Sequence, residues 1–321
     1  MSQAIDLKQT AALLSENNYF TIICHASPDG DTLGGAYALC GALQNFNKRA
    51  KVLCPEEPSK RFDYLKNGVE MQDFSEQREF VITIDVADSA LLGNMEEKYK
   101  DSTDLCIDHH ISNTGYAEKM LLDGDAGAAC EVVFELIKEL SRLNGADLMT
   151  ADIASCLYTG ISTDTGCFRF SNTTADSHRF TAELMDYGFD CTGLNYLLFD
   201  MKTPERIQLE RRALESVEFF FGGRCAVITL TKEMLDAADD EDINSISALP
   251  RQIEGVEAGV TFKEKEKGVW KISIRTKNYI DAQHICAKFG GGGHQRAAGC
   301  RIKGSVKECK ERLMKEIELY I

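Results

Sequence analysis

Short apolar runs alternate with amphipathic stretches along the first half of the chain. The runs FTIIC, EFVITI and DLCI end next to His25, Asp85 and Asp108, and ASCLYTGIST, with less strand character, precedes Asp164. Between them, TLGGAYALCGALQNF and ACEVVFELIKEL place apolar residues at helical spacing. This alternation predicts an α/β fold with a mostly parallel sheet, in which ligands collect beyond the carboxyl ends of the strands.

A break in this pattern divides the chain. Gly188 and Pro204 bracket residues 188–204, which we interpret as a linker with a helical part. Beyond it, RCAVITL, EAGVTFKE and GVWKISIRT have the character of strands, and QLERRALESVEFF and SVKECKERLMKEIELYI that of helices. We therefore expect a first domain over residues 1–187 and a smaller C-terminal α/β domain over residues 205–321, with the acidic stretch 236–242 as a surface loop or helix end.

Charge and composition narrow the function classes. A net charge of −15 disfavours a protein that tracks along duplexes or long strands, because such binding depends on many Lys and Arg side chains. No signal-peptide pattern and no run of roughly 18 apolar residues is visible, so we expect no membrane association. The twelve cysteines lie mostly in apolar runs, which indicates buried free thiols and a cytoplasmic location.

The segment HASPDGD places His25, Asp29 and Asp31 in one tight strand-to-helix turn. Pro28 and Gly30 allow a bend sharp enough to direct all three side chains inward. Alternatively, Asp31 could merely cap a helix that begins at the next residue, since Asp is a good N-cap. In isolation, the segment does not decide between a metal site and a cap.

Carboxylates also follow two of the other runs. Asp85 comes directly after VITI, and a carboxylate there is costly to desolvate unless it meets a cation or several donors. Asp88 fits better as the cap of the following SALLGNMEEKY. Asp164, in GISTDTGCFRF, could likewise be a cap if it stood alone.

Asp108, His109 and His110 follow DLCI at the predicted end of a strand. In an irregular turn both rings can face one cleft, and Asp108 could accept a hydrogen bond from one of them or fix the turn. Oxygen and imidazole donors without thiolate favour manganese, magnesium or cobalt over structural zinc. Two ions that share one carboxylate could clamp a phosphate and activate a bridging water. The six candidate ligands are His25, Asp29, Asp31, Asp85, His109 and Asp164.

A glycine run marks the second domain. It comprises Gly290, Gly291, Gly292 and Gly293, followed by His294. Four successive glycines cost conformational entropy on folding, and this cost is explained if their backbone N–H groups approach an anion. A flexible linker is the alternative, but the run leads at once into HQRAAGCRI, which has the character of ordered structure. Arg275 ends a predicted strand, and its planar guanidinium suits a terminal phosphate; Arg296 is a weaker candidate that could be surface charge.

The order HxxPDGD, DxAD, DHH, STDTGxFRF, SxR and GGGGH resembles the DHH phosphoesterase family, in the branch that joins a DHH domain to a DHH-associated C-terminal domain. The resemblance spans nearly the whole chain. It implies a manganese-dependent hydrolase of very short RNAs (nanoRNA) and of adenosine 3′,5′-bisphosphate (pAp), with the active site in the interdomain cleft.

The resemblance also implies individual roles. One manganese would be held by His25, Asp29 and Asp85, and the other by Asp31, Asp85, His109 and Asp164. His110 would contact the scissile phosphate or protonate the leaving oxygen, and Asp108 would orient the histidines. Arg275, the four glycines and His294 would bind the far end of the substrate.

Other interpretations stay open from the sequence alone. Within the family, the substrate could instead be pApA or another cyclic-di-AMP product, polyphosphate or pyrophosphate. A non-catalytic pAp sensor is the alternative from another class, although it would not need the full set of ligands. The expected partners are short single-stranded oligonucleotides and pAp, with a homodimer as an option if an apolar stripe of the first domain is exposed.

Overall fold

The computed structural model describes residues 2–74, 77–237, 243 and 246–321. The chain divides into two compact units, Met1–Met201 and Lys202–Ile321, and each is described by itself. Most of the acidic stretch 236–242 lies outside the described residues. Within the described ranges, no helix has both the length and the apolar character needed to cross a membrane.

A six-stranded parallel sheet forms the centre of the first unit. Its strands are β1 (Gln3–Ala4), β2 (Tyr19–Ile23), β3 (Arg49–Leu53), β4 (Phe80–Ile84), β5 (Leu105–Asp108) and β6 (Lys119–Leu122). Their order is β1-β6-β5-β4-β2-β3, and each neighbouring pair is parallel. The predicted mostly parallel sheet is confirmed. The strands that lead into His25, Asp85 and the Asp108 turn are adjacent, so their carboxyl ends meet at one edge.

The first unit also contains helices. They are α1 (Leu7–Glu16), α2 (Gly30–Asn45), α3 (Glu96–Tyr99), α4 (Ala129–Asn144), α5 (Ala151–Asp164), α6 (Ala175–Met185) and α7 (Cys191–Asn195). Of these, α2 and α4 pack on the sheet, and α5 and α6 pack on other helices. Shorter turns of 3-10 helix span Lys60–Lys66 and Ser89–Met95, and a π-helical turn spans Tyr196–Asp200. Helix α7 and the π-helical turn therefore lie within the stretch interpreted as a linker.

The run ASCLYTGIST belongs to helix α5, not to a strand. Glycines let this helix pack closely against its neighbours. A Cβ at Gly34 of α2 would lie 2.4 Å from the carbonyl oxygen of Cys156, and one at Gly160 would lie 2.1 Å from Sγ of Cys130. The close contact of α2, α4 and α5 places the start of α2 beside the end of α5, where Asp164 stands.

The second unit contains a mixed six-stranded sheet. Its strands are β7 (Glu218–Phe220), β8 (Cys225–Leu230), β9 (Ala258–Glu266), β10 (Val269–Thr276), β11 (Gly292–His294) and β12 (Ala297–Lys303). Their order is β11-β12-β10-β9-β8-β7, and all neighbouring pairs are antiparallel except β8 and β9. The strands predicted in this half are confirmed, and the glycine run leads into an edge strand.

The helices of the second unit pack against this sheet. They are α8 (Pro204–Glu215), α9 (Lys232–Leu235), α10 (Leu249–Gln252), α11 (Ala282–Ala287) and α12 (Val306–Glu318), with a 3-10 turn at Phe221–Gly223. The prediction that one helix covers QLERRALESVEFF is wrong at its end. The chain leaves α8 after Glu215, and the last residues of the run form β7, in keeping with the preference of aromatic residues for strands.

Candidate metal centre

The turn between β2 and α2 begins with His25 and ends in the first residues of α2. Oδ1 of Asp29 accepts hydrogen bonds from the backbone N–H groups of Asp31 (3.0 Å) and Thr32 (3.3 Å). Asp29 is therefore the N-cap and the helix begins at Gly30, so the alternative in which Asp31 caps a helix starting at Thr32 is wrong. The ring of His25 donates from Nδ1 to its neighbour's carbonyl oxygen at 2.7 Å, which leaves Nε2 for the cluster.

Asp31 is buried and meets the start of another helix. Its oxygens accept the backbone N–H groups of Ala129 at 2.7 Å and Cys130 at 2.9 Å, the first residues of α4. The N-cap residue of α4 is Ala128, which has no side-chain acceptor, so Asp31 supplies the negative group that this helix terminus favours. These bonds fix the carboxylate in position.

Asp85 is the central residue of the cluster. It is 6% exposed, and its φ of 59° lies in the left-handed region, which is uncommon for a residue other than glycine. Its Oδ2 lies 3.7 Å from Nε2 of His25, and its Oδ1 lies 3.6 Å from Nε2 of His109. The two oxygens of one carboxylate therefore face two different histidines.

The backbone around the cluster contains further residues with positive φ. Ser27 has a φ of 55°, and Gly166, Cys167 and Phe168 form a left-handed turn with φ values of 58°, 56° and 60°. Left-handed conformation is costly for residues with a Cβ and is found preferentially at functional sites. Ser27 lies two residues after His25, and the turn at Gly166 begins two residues after Asp164, so these conformations occur close to candidate ligands.

Asp108, His109 and His110 form the turn after β5. Oδ1 of Asp108 accepts the backbone N–H groups of both histidines, at 2.8 and 3.2 Å, and Nδ1 of His110 at 2.9 Å. Its Oδ2 accepts the side-chain amide of Asn113 at 2.6 Å. The ring of His109 donates from Nδ1 to the carbonyl oxygen of Ala126 at 3.1 Å, so its Nε2 faces the cluster.

Asp164 is the last residue of α5 and is not a helix N-cap. Its Oδ2 lies 3.9 Å from Nε2 of His109, which in turn is 4.0 Å from Oδ2 of Asp31. The same Oδ2 accepts the side-chain amide of Asn172 at 2.9 Å. The other carboxylate considered from the sequence, Asp88, caps the turn Ser89–Met95 by accepting the N–H of Ala90 at 2.9 Å.

The candidate ligands form groups whose ligand atoms all lie within 4.8 Å of one another. The groups are His25, Asp29 and Asp85; Asp31, His109 and Asp164; and Asp85, His109 and His110. Around one octahedral ion with bonds of about 2.1 Å, adjacent ligand atoms are about 3.0 Å apart and opposite ones about 4.2 Å. In this cluster, the distances from the histidine Nε2 atoms to the aspartate carboxylate oxygens are 3.5 to 4.0 Å, which lies in that range.

The electrostatics of the cluster fit a divalent cation. Burial and the neighbouring carboxylates raise the pKa of Asp31, and burial raises the pKa of Asp85 and that of Asp164, the latter to about 6. Oδ1 of Asp85 and Nε2 of His109 are buried and have no hydrogen-bond partner among the described residues. A cation would satisfy both atoms and offset the repulsion between the carboxylates.

The same negative charges also raise the pKa of two histidines, which favours the charged form of each ring. Burial is the largest single effect and opposes protonation of His25, but the contact with Asp29, the hydrogen bond to the carbonyl oxygen of Ala26 and the charge of Asp85 together outweigh it and raise the pKa of His25 to about 8. The hydrogen bond with Asp108 and the nearby carboxylate of Asp85 raise the pKa of His110 to about 10. Excess negative charge is thus a property of the whole cluster.

The second unit contains the remaining predicted residues. Arg275 is half-buried on β10, and burial together with the charge of Arg251 lowers its pKa. His294 is exposed at the end of the edge strand β11. Arg296 has a structural role, because its guanidinium donates to the carbonyl oxygens of Asn278 and Ile280.

The glycine run also has a structural use. The N–H of Gly290 donates to the carbonyl oxygen of Ala287 at 3.1 Å, and that of Gly291 to the carbonyl oxygen of Cys286 at 2.9 Å. These two bonds end helix α11. The N–H groups of Gly290 and Gly291 are therefore not available to an anion, and Gly292 and Gly293 pair with Gly299 and Ala298 of the neighbouring strand β12.

Some residues that hold the cluster were not identified from the sequence. Thr32 donates its hydroxyl to the carbonyl oxygen of Ile84 at 2.7 Å and joins the ends of two strands. Asn113 and Asn172 bind Asp108 and Asp164 through their amides. The only signal in the sequence is that each asparagine follows its aspartate within one turn-rich segment, five and eight residues later.

Comparisons with known proteins cover both units. The model of the DHH family, N-terminal domain, matches residues 19–161, and that of the DHHA1 domain matches residues 225–321. The chain is 33% identical to the bifunctional oligoribonuclease and PAP phosphatase NrnA of Thermus thermophilus, over 92% of this chain and 88% of that protein. It is 26% identical to the Bacillus subtilis protein of the same name, over 88% and 90%. An exopolyphosphatase-related protein from Bacteroides fragilis has the same fold, with a TM-score of 0.85, 22% identity and coverage of 98% and 96%.

Proposed function

Because the chain belongs to the DHH family of phosphoesterases and is a hydrolase, we propose that it is a manganese-dependent enzyme that hydrolyses nanoRNA to mononucleotides and removes the 3′-phosphate of pAp. The observation that carries this proposal is the carboxylate of Asp85, whose two oxygens face His25 and His109. The names of the Thermus and Bacillus relatives supply the substrate classes.

The proposal assigns the ligands of two ions that share Asp85. His25 and Asp29 complete one set, and Asp31, His109 and Asp164 complete the other. Oxygen and imidazole donors without thiolate suit Mn²⁺, with Mg²⁺ or Co²⁺ as substitutes. Such ions, when bound, would polarise a phosphate and lower the pKa of a bound water towards neutrality, so that it could act as the nucleophile.

His110 is proposed to contact the scissile phosphate or to protonate the leaving oxygen. Its Nδ1 is held by Asp108, while the side chain as a whole is 45% exposed. The remaining ring nitrogen, Nε2, can therefore donate a hydrogen bond or a proton to a substrate oxygen. Asp108 is buried and binds no other ring, so its proposed role is to orient His110.

The second unit is proposed to supply substrate binding through Arg275, His294 and the exposed glycines Gly292 and Gly293 of edge strand β11. Arg275 lies close enough to Arg251 for the two charges to repel, which a phosphate would relieve. The net charge of −15 leaves little affinity for long strands, so recognition confined to a few positive groups favours short substrates.

The twelve free cysteines are consistent with a proposed cytoplasmic location.

The test is turnover of pAp, pApA, a dinucleotide RNA, a dinucleotide DNA and a twenty-mer RNA, each with Mn²⁺ and with chelator. We expect Mn²⁺-dependent release of phosphate from pAp and of mononucleotides from the dinucleotide RNA, and much slower turnover of the twenty-mer. Asp85→Asn removes all activities together, whereas the matched control Asp88→Asn, at the helix cap three residues later, retains them.

Three results would contradict the proposal. Binding of pAp without hydrolysis under any divalent ion would identify a sensor. Equal turnover of the dinucleotide and the twenty-mer would refute the preference for short substrates. An activity that survives Asp85→Asn would have to come from a different site.

A further inference from the structure

We infer that Asn172 is a positioning residue that holds one of the two sets of metal ligands in place. It lies between α5 and α6, and its side chain is half-buried. Its Nδ2 donates to Oδ2 of Asp164 at 2.9 Å and to the carbonyl oxygen of Gly127 at 2.9 Å. The amide therefore joins a candidate ligand to the loop that precedes α4.

That loop also holds the second ligand of the same set. The carbonyl oxygen of Ala126 accepts Nδ1 of His109 at 3.1 Å, which orients Nε2 of this ring towards the cluster. The next residue, Gly127, donates its N–H to Oε2 of Glu131 at 3.2 Å. The peptide that Asn172 binds is thus the continuation of the peptide that orients His109.

There is little room for this loop to move. A Cβ at Gly127 would lie 2.8 Å from the carbonyl oxygen of Asn172, 2.8 Å from Oε1 of Glu131 and 2.9 Å from Oγ of Ser177. The loop is enclosed on several sides, and its polar groups are bound by Asn172, Glu131 and His109. A displacement of the Asn172 amide would therefore be passed on to both Asp164 and His109.

The contacts of Asn172 are confined to one ligand set. Asp164 and His109 share their group with Asp31, which is fixed independently by the start of α4. His25 and Asp29 are held by hydrogen bonds within their own turn. Loss of Asn172 should therefore weaken the binding of one ion much more than that of the other. The reason is that such partners act on metal affinity by orienting the ligands that they contact.

This inference rests on the metal centre of the proposed function, and direct titration with Mn²⁺ tests it without reference to turnover. Free Mn²⁺ is followed by electron paramagnetic resonance during titration of the full-length wild type, Asn172→Leu and the control Asn45→Leu. Asn45 donates its amide to the carbonyl oxygen of Leu148 at 2.9 Å and belongs to none of the metal-ligand groups. The melting temperature of each protein in chelator reports on folding.

We expect two classes of Mn²⁺ site in the wild type. Asn172→Leu should weaken one class by about 10- to 100-fold and leave the other within about twofold, while Asn45→Leu changes neither. If Asn172→Leu does not fold in chelator, Asn172→Ser, which removes the amide with less apolar bulk, is titrated in its place.

The outcomes separate this inference from the proposed function. A folded Asn172 variant with the wild-type isotherm, or with both classes weakened equally, would overturn the positioning role while leaving the enzyme intact. A wild-type protein that binds no Mn²⁺ and hydrolyses nothing would overturn the proposed function and this inference together.

Discussion

Oδ1 of Asp108 accepts Nδ1 of His110 at 2.9 Å, while Oδ1 of Asp85 lies 3.2 Å from the same nitrogen. Asp108, which is not one of the candidate metal ligands, thus orients the ring of His110. Asp85, the central candidate ligand, lies close to the same ring. We expect Asp108→Asn to lower kcat for pAp by about 10- to 100-fold with a smaller change in KM, because the amide cannot keep all of these hydrogen bonds. Steady-state kinetics check the prediction.

The matched control is Asp104→Asn, at the other end of β5. Asp104 accepts the N–H of Val81 at 2.7 Å, so it anchors the same pair of strands away from the cluster. A similar loss of kcat in both variants would indicate a general effect on the sheet and would contradict the assignment of Asp108.

Asp85 should destabilise the metal-free protein. Its carboxylate is buried, Oδ1 has no hydrogen-bond partner, and burial raises its pKa. We expect Asp85→Asn in chelator to be more stable than the wild type by on the order of 1–2 kcal/mol, because it removes a buried charge. Addition of Mn²⁺ should then raise the melting temperature of the wild type and of Asp88→Asn but not that of Asp85→Asn. If Asp85→Asn gains as much as the wild type, Asp85 is not a ligand.

Strands β2, β4 and β5 could be predicted because each is a compact apolar run that ends next to a polar residue, whereas the less buried strands β1, β3 and β6 were not predicted. The run ASCLYTGIST could not be assigned in the same way, since small residues such as Gly160 are compatible with strand and helix alike. Its helical state depends on close packing against Cys130 of α4, which is distant in sequence.

The chemistry of the site was predictable, but the supporting contacts were not. Asp31 lies 98 and 99 residues from the N–H groups that it accepts, and Thr32 lies 52 residues from the carbonyl oxygen that it binds. The local sequence pattern gives no information about such distant partners. It therefore could not decide whether Asp31 is a metal ligand or a helix cap. The glycine run posed a similar problem, because helix termination by Gly290 and Gly291 and anion binding both require glycine.

Arg275 offers a test of substrate binding by the second unit. Burial and the nearby charge of Arg251 lower the pKa of Arg275, which marks it as a cation whose charge is not fully compensated. We expect Arg275→Ala to raise KM for pAp by about 10- to 100-fold, the effect of losing a charged hydrogen bond. The control Arg301→Ala, at an exposed position of β12, should leave KM within about twofold. Equal effects in the two variants would mean that only overall charge matters.

Substitutions at two adjacent glycines, Gly291 and Gly292, test the structural role and the substrate-binding role of the glycine run separately. A Cβ at Gly291 would lie 2.2 Å from the carbonyl oxygen of Gly299 and 2.5 Å from Cβ of Cys300, whereas one at Gly292 meets nothing within 4 Å. We expect Gly291→Ala to lose about 1–3 kcal/mol of stability through overpacking. Gly292→Ala should keep its melting temperature and raise KM, because the methyl group obstructs the approach of a phosphate. Wild-type KM in Gly292→Ala would exclude Gly292 from substrate binding.

Glu257 stabilises the segment that follows Arg275. It is 5% exposed, and its Oε1 accepts the N–H groups of Asn278, Tyr279 and Ile280 at 2.7, 2.9 and 3.3 Å. Burial opposes ionisation, but these hydrogen bonds outweigh it and hold the pKa of Glu257 below its usual 4.5. A carboxyl group with a lowered folded pKa contributes stability above its unfolded pKa, and this contribution is lost as the pH falls through the folded value.

Glu257→Gln should therefore be less stable than the wild type by on the order of 1–2 kcal/mol at pH 7, because the neutral amide accepts these N–H groups less strongly. The difference should shrink as the pH falls below about 4.5, the unfolded pKa, since the wild-type carboxylate is then progressively protonated. Urea unfolding between pH 3 and 7 measures it, and the exposed Glu254→Gln serves as the control, with changes within about 0.5 kcal/mol. A deficit of constant size over the whole pH range would show that shape, and not the charge of Glu257, holds residues 278–280.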